Sequence, residues 1–189
     1  MRLDHIAYRV KNRYETTDFF KKAFGYEVGT EFQIKFDDNS KADCLALIPP
    51  EERHPNTVEW NVLLADAPSQ ENPTEGTEFH SYHAPPEIFV SDGSEGSIVG
   101  DWVIERGNVG GIHHIAYQVD DVKGVMNEWR EKGYAEFYSD EPITCENPNL
   151  IQVFTKPSKL TGVMYEFISR EGEGFCENSV KKLMESTKK

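Results

Sequence analysis

Apolar and polar residues alternate along several short stretches of the chain, and the clearest of these stretches occurs twice. In "DHIAYRV" at 4–10, His5 falls on one face of the predicted strand and an Ile-Tyr-Val stripe falls on the other. "HHIAYQV" at 113–119 repeats the pattern, with His114 in the place of His5. The pattern predicts two copies of one strand, each with a histidine on the face opposite its apolar stripe.

Each copy continues with the same succession of elements. Residues 14–25 and 121–133 have apolar residues at helical spacing, and both segments end at a glycine that suits a left-handed helix terminus. Strand-like segments follow at 31–36, 44–48 and 58–64 in the first copy, and at 135–139, 150–155 and 162–168 in the second. The predicted fold class is α+β, with two tandem β-α-β-β-β modules that form a cupped mixed sheet.

The spacing between matching residues supports a duplication. His5 and His114 lie 109 residues apart, the two helix-ending glycines lie 108 apart, and Glu59 and Glu166 lie 107 apart. Each glutamate also stands between apolar or aromatic neighbours on the last predicted strand of its module. We therefore interpret Glu59 and Glu166 as counterparts.

One segment lies outside the duplication. Residues 66–97 are rich in Pro, Gly, Ser and Glu, and connections of this length in a compact domain are usually functional lids or disordered. We predict a single domain over 1–189, with module one at 1–65, an excursion and linker at 66–110, module two at 111–170, and a carboxyl-terminal tail and helix at 171–189.

The charge balance excludes several classes of partner. The chain has 33 acidic and 20 basic side chains, and its formal net charge of −13 repels phosphate backbones and anionic membrane surfaces. No apolar run reaches the roughly 18 residues that span a bilayer, and no apolar core of an export signal is visible. We expect a cytoplasmic protein with a small-molecule substrate, and we expect neither nucleic acid nor a membrane as its partner.

The cysteine pattern agrees with that location. Cys44, Cys145 and Cys176 are an odd number and lack the CxxC spacing of a metal site. Such a set suits a reducing compartment better than a disulfide framework. We predict three free thiols.

Two strand histidines and a strand carboxylate supply the facial ligand set of non-heme Fe(II) enzymes. His5, His114 and Glu166 form this set, and Glu59 is a possible fourth ligand. A single strand histidine is more often structural, but repetition at equivalent positions favours a metal site shared by the modules. An exposed strand face is the competing explanation.

His113 would point to the opposite face of a regular strand, so we interpret it as structural.

These features resemble the vicinal-oxygen-chelate superfamily, whose paired modules enclose one divalent metal. The stretch at 97–122, "SIVGDWVIERGNVGGIHHIAYQVDDV", is similar to the linker and second-module start of methylmalonyl-CoA epimerases. The stretch at 150–186 is similar to the carboxyl end of 4-hydroxyphenylpyruvate dioxygenases, including "QVFTKP", "EFISR" and "GFCEN". The resemblance covers nearly all of the chain except 66–97.

The resemblance to the dioxygenases implies roles for individual residues. His5, His114 and Glu166 match the metal triad of that family, and Gln152 matches a glutamine of its substrate pocket. Glu166 and Gln152 are the catalytic candidates on this basis. Three residues fall where the final helix of the family covers the active site, namely Phe175, Asn178 and Ser179.

The chain also departs from both relatives. Those dioxygenases carry a further amino-terminal domain, and their pocket signature N-E-P reads "DAP" here, at 66–68. For an epimerase, Glu87 aligns with the strand residue beside the metal, in competition with Glu59. The internal repeat favours Glu59, and Glu87 stays open as the alternative.

Three functions are compatible with these patterns. The first is an Fe(II)-dependent dioxygenase, an oxidoreductase that acts on a small 2-oxo acid. The second is a metal-dependent isomerase or lyase similar to methylmalonyl-CoA epimerase or glyoxalase, and the third is a non-catalytic binding protein for small molecules. Two histidines and a glutamate favour Fe(II) but also accept Co, Ni, Mn or Zn. Modules of this type often associate, so a homodimer is a further possibility.

Overall fold

The computed structural model describes residues 1–50, 59–61, 80–82, 86–145, 149–170 and 176–187, with the backbone alone for 59–61 and 80–82. The first part of the chain forms β1 (Arg2–Arg9), α1 (Arg13–Phe24), β2 (Glu27–Lys35), β3 (Lys41–Ile48), β4 (Glu59–Asn61), β5 (His80–Tyr82), β6 (Glu87–Asp92) and α2 (Ile98–Glu105). The second part forms β7 (Gly111–Gln118), α3 (Val122–Glu131), β8 (Ile143–Cys145), β9 (Leu150–Phe154), β10 (Met164–Arg170) and α4 (Glu177–Ser186).

The chain divides into two compact units. The main unit comprises residues 1–49 and 86–189, and the second unit comprises residues 50–85. In the second unit, β4 and β5 form an antiparallel pair. No helix in the described parts of the chain is long and apolar enough to cross a membrane.

Eight strands of the main unit form one curled, half-barrel sheet in the order β2-β3-β6-β1-β7-β10-β9-β8. β1 runs parallel to β6, β7 runs parallel to β10, and β1 and β7 are antiparallel at the centre. Each half of the sheet therefore has the same strand arrangement outwards from the centre. The predicted α+β class, with two β-α-β-β-β modules in a cupped mixed sheet, is confirmed.

Side-chain caps and glycines set the ends of the two module helices. Asn12 caps α1 and Asp121 caps α3, because each side chain accepts hydrogen bonds from backbone N–H groups of the first turn. Gly25 and Gly133 follow these helices with φ angles of 77° and 68°. Both predicted left-handed ends are confirmed.

Helices α1 and α3 pack against the apolar stripes of the central strands. The Ile-Tyr-Val stripe that begins on β1 packs with Phe20 of α1, and the matching tyrosine and valine of the second module pack with Trp129 of α3. Each large apolar side chain that becomes fully buried stabilises the fold by about 1.5–3 kcal/mol. The histidine-bearing face of both strands is left on the other side of the sheet.

Helix α4 lies over that other side. It contacts both edge strands of the sheet, β2 and β8. A disulfide joins Cys176 at its start to Cys145 of β8. Lys181 donates a hydrogen bond of 2.6 Å to Asp37, in the turn after β2. The helix is therefore fastened to both halves of the sheet.

Three expectations from the sequence are wrong. The segment 135–139 is not a strand: Phe137 forms an isolated bridge with Thr155, and β8 takes the edge position in the sheet. The strand that closes the first module is β6; of the predicted segment 58–64, the described part is β4, which pairs with β5 outside the main sheet. The excursion inserts before β6, so the constant offset between the modules does not extend to this strand. Cys145 and Cys176 are bonded to each other, and Cys44 is the free, buried cysteine. The cysteine-based reason for a reducing compartment therefore no longer applies.

Candidate metal centre

Two β-bulges interrupt the ladder between β1 and β7 and aim the side chains of the site. In β1, Asp4 and His5 together lie opposite a single residue of β7, and in β7 His113 is an extra residue opposite β1. A bulge re-aims side chains that a regular strand would place on alternate faces. Asp4 and His5 are both buried, and His113 and His114 both line the same pocket. The prediction that His113 points to the opposite face is wrong for this reason.

His5, His114 and Glu166 converge at the centre of the sheet. The two histidine Nε2 atoms are 3.2 Å apart, and Glu166 Oε2 lies 3.3 Å from His5 Nε2 and 3.1 Å from His114 Nε2. All three residues are buried. Within the described side chains, this is the group of three His, Cys, Asp or Glu residues whose ligand atoms all lie within 4.8 Å of one another.

This donor set fits a divalent transition metal. Ligand atoms about 2.1 Å from an ion and at right angles to one another are about 3.0 Å apart. The three observed separations are close to that value. Three mutually adjacent ligands occupy one face of an octahedron and leave the opposite face open. Two imidazoles and a carboxylate suit Fe(II), and the same set accepts Co, Ni, Mn or Zn.

Neighbouring groups fix the orientation of His5. Its Nδ1 lies 2.8 Å from Asp4 Oδ1, so His5 donates to Asp4 and presents Nε2 to the centre of the cluster. Arg170 holds Asp4 in turn through contacts of 3.1 and 3.2 Å, and it also donates to Glu87 at 2.9 Å. The buried Asp4 carboxylate is therefore paired, and it would hold the neutral His5 ring as the Nδ1–H tautomer when a metal displaces the proton from Nε2.

His113 takes the place of Asp4 beside the second histidine. The Nδ1 atoms of His113 and His114 are 2.9 Å apart. If His114 presents Nε2 as a ligand, its Nδ1 carries the proton and donates it to an unprotonated Nδ1 of His113. Burial lowers the pKa of His113 well below its usual value. This keeps His113 neutral, as that hydrogen bond requires.

The three members of the cluster differ in charge. Burial opposes the imidazolium form of His5, but hydrogen bonds to Asp4 and Glu166 outweigh it and raise its pKa to about 9. Burial also opposes ionisation of Glu166, yet hydrogen bonds from His114 and His5 lower its pKa to about 2. Burial lowers the pKa of His114. Glu166 is therefore a carboxylate at neutral pH, the form that binds a metal.

A pocket of about 420 Å³, its mouth included, contains the cluster in its wall. Helix α4 contributes Val180, Leu183 and Met184 to the lining, and Phe89 and Phe154 contribute aromatic surface. The polar lining residues beyond the cluster and its neighbour His113 are few. A mostly apolar pocket with a few converging polar groups is typical of a small-molecule site.

Gln152 lines the pocket as predicted, whereas the described residues predicted on the covering helix do not. Gln152 is buried and lines the pocket, and its Nε2 has no hydrogen-bond partner among the described residues. Ser179 is buried and Asn178 is exposed, and neither belongs to the pocket lining. Phe175 lies outside the described residues. Where it is described, α4 meets the pocket with apolar side chains and not with the predicted polar pair.

The two candidates for a fourth ligand are not part of the described cluster. Glu59 lies in β4 and its side chain is outside the described residues, so its role stays a prediction. Glu87 lies opposite His5 in the ladder of β1 and β6, and its carboxylate accepts a hydrogen bond from Arg170. By its register in the ladder of β1 and β6, Phe89 and not Glu87 is the first-module counterpart of Glu166.

Sequence reasoning missed Arg9 as a pocket residue. Arg9 shares the face of His5 on β1, is 3% exposed and lines the pocket. Burial lowers its pKa to about 9, so the guanidinium stays charged at neutral pH. The signal was available, because strand alternation places this cation on the same face as the predicted ligand.

Comparisons with known proteins agree with this fold. Residues 4–146 match the family model described as Glyoxalase/Bleomycin resistance protein/Dioxygenase superfamily. No curated protein matches the chain. Among solved structures, a mutant of 4-hydroxymandelate synthase from Streptomyces coelicolor is similar, with a TM-score of 0.69, 16% identity, and coverage of 98% of this chain and 52% of that chain. The chain thus spans about half the length of that synthase.

Two methylmalonyl-CoA epimerase structures are also similar. One has a TM-score of 0.59 and 19% identity, and the match covers 91% of this chain and 97% of that chain. The other, from Mycobacterium tuberculosis, has a TM-score of 0.59 and 16% identity, with 90% and 89% covered. Likeness at these identities concerns the fold alone, whereas the family model covers most of the chain. The chain therefore belongs to the glyoxalase/bleomycin resistance protein/dioxygenase superfamily, also called the vicinal-oxygen-chelate superfamily.

Proposed function

We propose that this protein is an Fe(II)-dependent dioxygenase that acts on a small 2-oxo acid. The observation that carries the proposal is a cluster of three ligands, His5, His114 and Glu166, with Phe89 at the position that would complete a symmetric set of four. Three ligands on one face leave room for a bidentate acid and O2, the arrangement used by non-heme Fe(II) oxygenases.

Residues around the cluster have distinct roles in this proposal. The metal, when bound, supplies the redox chemistry and the chelation of the 2-oxo acid. Asp4 and His113 hold the two histidine rings so that Nε2 of each faces the cluster. Gln152 donates from its unpaired Nε2 to the bound substrate. The apolar side chains of α4 exclude water from the pocket.

The overall reaction balances with O2 as the only oxidant. The 2-oxo acid loses C1 as CO2, and one oxygen atom enters the carboxylate that remains, a two-electron oxidation. The second oxygen atom replaces a C–H bond of the same molecule with C–OH, which takes up the other two electrons of the four-electron reduction of O2. One O2 is consumed for each CO2 released.

The experiment is O2 uptake by protein loaded anaerobically with Fe(II), measured with a panel of aryl and alkyl 2-oxo acids. We expect uptake that depends on the 2-oxo acid and matches CO2 release. Glu166→Gln should abolish uptake, whereas Glu136→Gln, a change of an exposed carboxylate paired with Lys156, should not. Uptake that is equal in both variants, or absent from the wild type with every acid, would contradict the proposal.

A metal-dependent epimerase or other isomerase is the second candidate. It is favoured by the coextensive match to epimerase structures, which covers 91% of this chain and 97% of that chain. Such chemistry needs a carboxylate that moves a proton, and Glu166, already bonded to both histidines, is the carboxylate among the described lining residues. Solvent deuterium incorporation into a 2-oxo acid or acyl thioester without O2 uptake would select this candidate. Tight binding without turnover would select a binding protein.

A further inference from the structure

Arg9 is a buried cation that faces the same pocket as the metal cluster. It is 3% exposed, and it lies four positions after His5 on β1, on the same face of the strand. Both residues line the pocket. Arg9 is therefore separated from bulk water and directed toward the space that a ligand would fill.

The guanidinium of Arg9 is poorly compensated. Its Nη1 donates to the carbonyl oxygen of Ile98 over a long 3.4 Å, and its Nη2 has no hydrogen-bond partner among the described residues. Its described electrostatic neighbours are Cys44, Tyr138, His113 and a second cation, Arg106, and its guanidinium carbon lies 5.9 Å from the centre of the Trp102 ring. A buried charge without a counter-ion is unfavourable for folding, so such groups usually have a ligand as their partner.

Two other arginines of the main unit show how this protein normally pairs a half-buried or buried guanidinium. Arg13 contacts the Asp92 carboxylate at 3.0 Å. Arg170 contacts Asp4 at 3.1 Å and Glu87 at 2.9 Å. Arg9 is the most buried of the three, and no described carboxylate lies within ion-pair distance of it. Of these three arginines, the one without a described carboxylate partner is also the one that lines the pocket.

The charge of the pocket fits an anionic ligand. Glu166 is the carboxylate of the described lining, and it is bonded to two histidines. With a divalent ion on the cluster, the ion, Glu166 and Arg9 together carry a net positive charge of two. This occurs in a chain whose formal net charge is −13. A dianion would neutralise the pocket, whereas a monoanion would leave one charge uncompensated.

The metal cluster and the Arg9 guanidinium form two separate binding points in the pocket. Residues four positions apart on a strand have Cα atoms about 13 Å apart, and an arginine side chain spans part of that distance. A ligand held by the cluster at one end would meet the guanidinium with its other end. The planar guanidinium matches the two oxygens of a carboxylate.

We propose that Arg9 is the specificity-determining residue of the pocket and binds a distal carboxylate, so that the substrate is a small 2-oxo dicarboxylate. This inference rests on the proposed function, because the 2-oxo acid end is assigned to the metal. Gln152 Nε2 supplies a neutral donor in the same pocket and is available for the carbonyl groups of such a ligand.

The test is calorimetric binding to Fe(II)-loaded protein without O2. The probes are oxaloacetate, 2-oxoglutarate and 2-oxoadipate, each compared with its terminal amide, which has the same shape without the distal charge. We expect the wild type to bind at least one dicarboxylate about 10- to 100-fold more tightly than its amide, and Arg9→Gln to remove that preference. Arg106→Gln is the matched control: Arg106 is an exposed cation over the same Trp102 ring that Arg9 approaches, and it lies outside the pocket lining, so the preference should persist.

Thermal unfolding of the ligand-free variants distinguishes a ligand-binding role from a structural one. Removal of an uncompensated buried charge should leave the melting temperature of Arg9→Gln unchanged or higher. A lower melting temperature in both Arg9→Gln and Arg9→Met would identify Arg9 as a structural residue and overturn the inference. Equal binding of every dicarboxylate and its amide by the wild type would also overturn it, as would a preference that survives in Arg9→Gln.

The outcomes also separate this inference from the proposed function. Arg9-dependent binding of a dicarboxylate without O2 uptake would support the role of Arg9 and contradict the dioxygenase. O2 uptake with monoanionic 2-oxo acids that is unaffected by Arg9→Gln would support the dioxygenase and contradict the role of Arg9.

Discussion

Phe89 occupies, in the first module, the position that Glu166 occupies in the second. Phe89 lies opposite Ala7 in the parallel ladder of β1 and β6, and Glu166 lies opposite Ala116 in the parallel ladder of β7 and β10. Both side chains line the pocket. Of the two equivalent positions, only that of the second module carries a carboxylate, so the two equivalent histidines and Glu166 form a three-ligand site.

Phe89→Glu should restore the missing symmetric carboxylate. A second carboxylate beside the cluster would occupy part of the space kept for substrate and O2, and it would add a charged ligand for the metal. We expect Zn(II) or Ni(II) to bind at least about 10-fold more tightly and O2 uptake to fall at least about 10-fold. Competition with a chromogenic chelator measures the first quantity.

Phe89→Leu is the control for that substitution, because it removes the aromatic ring without adding a ligand. It should leave metal affinity within about 3-fold of the wild type. If Phe89→Glu and Phe89→Leu changed metal affinity equally, Phe89 would not be the symmetric position.

Asp4→Asn should weaken metal binding by about 10- to 100-fold, because the amide supports the His5 ring less well than the carboxylate does. Glu87→Gln is the matched control, since Glu87 also bonds Arg170, whereas the carboxylate that accepts from His5 Nδ1 belongs to Asp4. Isothermal titration of the metal-free variants with Co(II) measures both. Equal losses of affinity in the two variants would show that Arg170 pairing, and not the orientation of His5, controls the site.

The disulfide between Cys145 and Cys176 should be detectable by counting thiols. Denatured protein without reductant should show only the thiol of Cys44, and reduced protein should show all three. Burial raises the pKa of the Cys44 thiol, so the folded protein should not react with thiol reagents even at a pH where ordinary thiols ionise. Three thiols in unreduced denatured protein would contradict the disulfide.

The same disulfide should stabilise the fold by restricting the unfolded chain. Its cysteines are 31 residues apart, a loop for which chain entropy gives about 3–4 kcal/mol. Urea denaturation of Cys145→Ser should show that decrease in the free energy of unfolding. An unchanged free energy would mean that the bond adds nothing to the attachment of α4.

The duplication made much of the fold predictable. A strand repeated with its histidine, followed each time by a helix that ends at glycine, defines both modules. Because His5 and His114 are equivalent in the repeat, the sequence also placed them on one face of a shared sheet. The structure brings these two residues and Glu166 within 3.3 Å of one another.

The remaining features depend on long-range pairing that local patterns do not contain. Glu59 was favoured as a counterpart because the spacing of the repeat was assumed to extend across the excursion, but β6 replaces that strand in the sheet. His113 faces the pocket because a bulge breaks the alternation of β7. The disulfide forms because α4 crosses to β8, an arrangement that cysteine spacing alone does not reveal.

The most direct test of the central claim is the metal content of the purified protein and its variants after reconstitution with Fe(II). We predict about one ion per chain in the wild type and in the surface control Glu136→Gln, and a loss of that ion in both His114→Ala and Glu166→Gln. A wild type that binds no ion, or a Glu166→Gln variant that keeps the full content together with His114→Ala, would contradict a metal centre built from His5, His114 and Glu166.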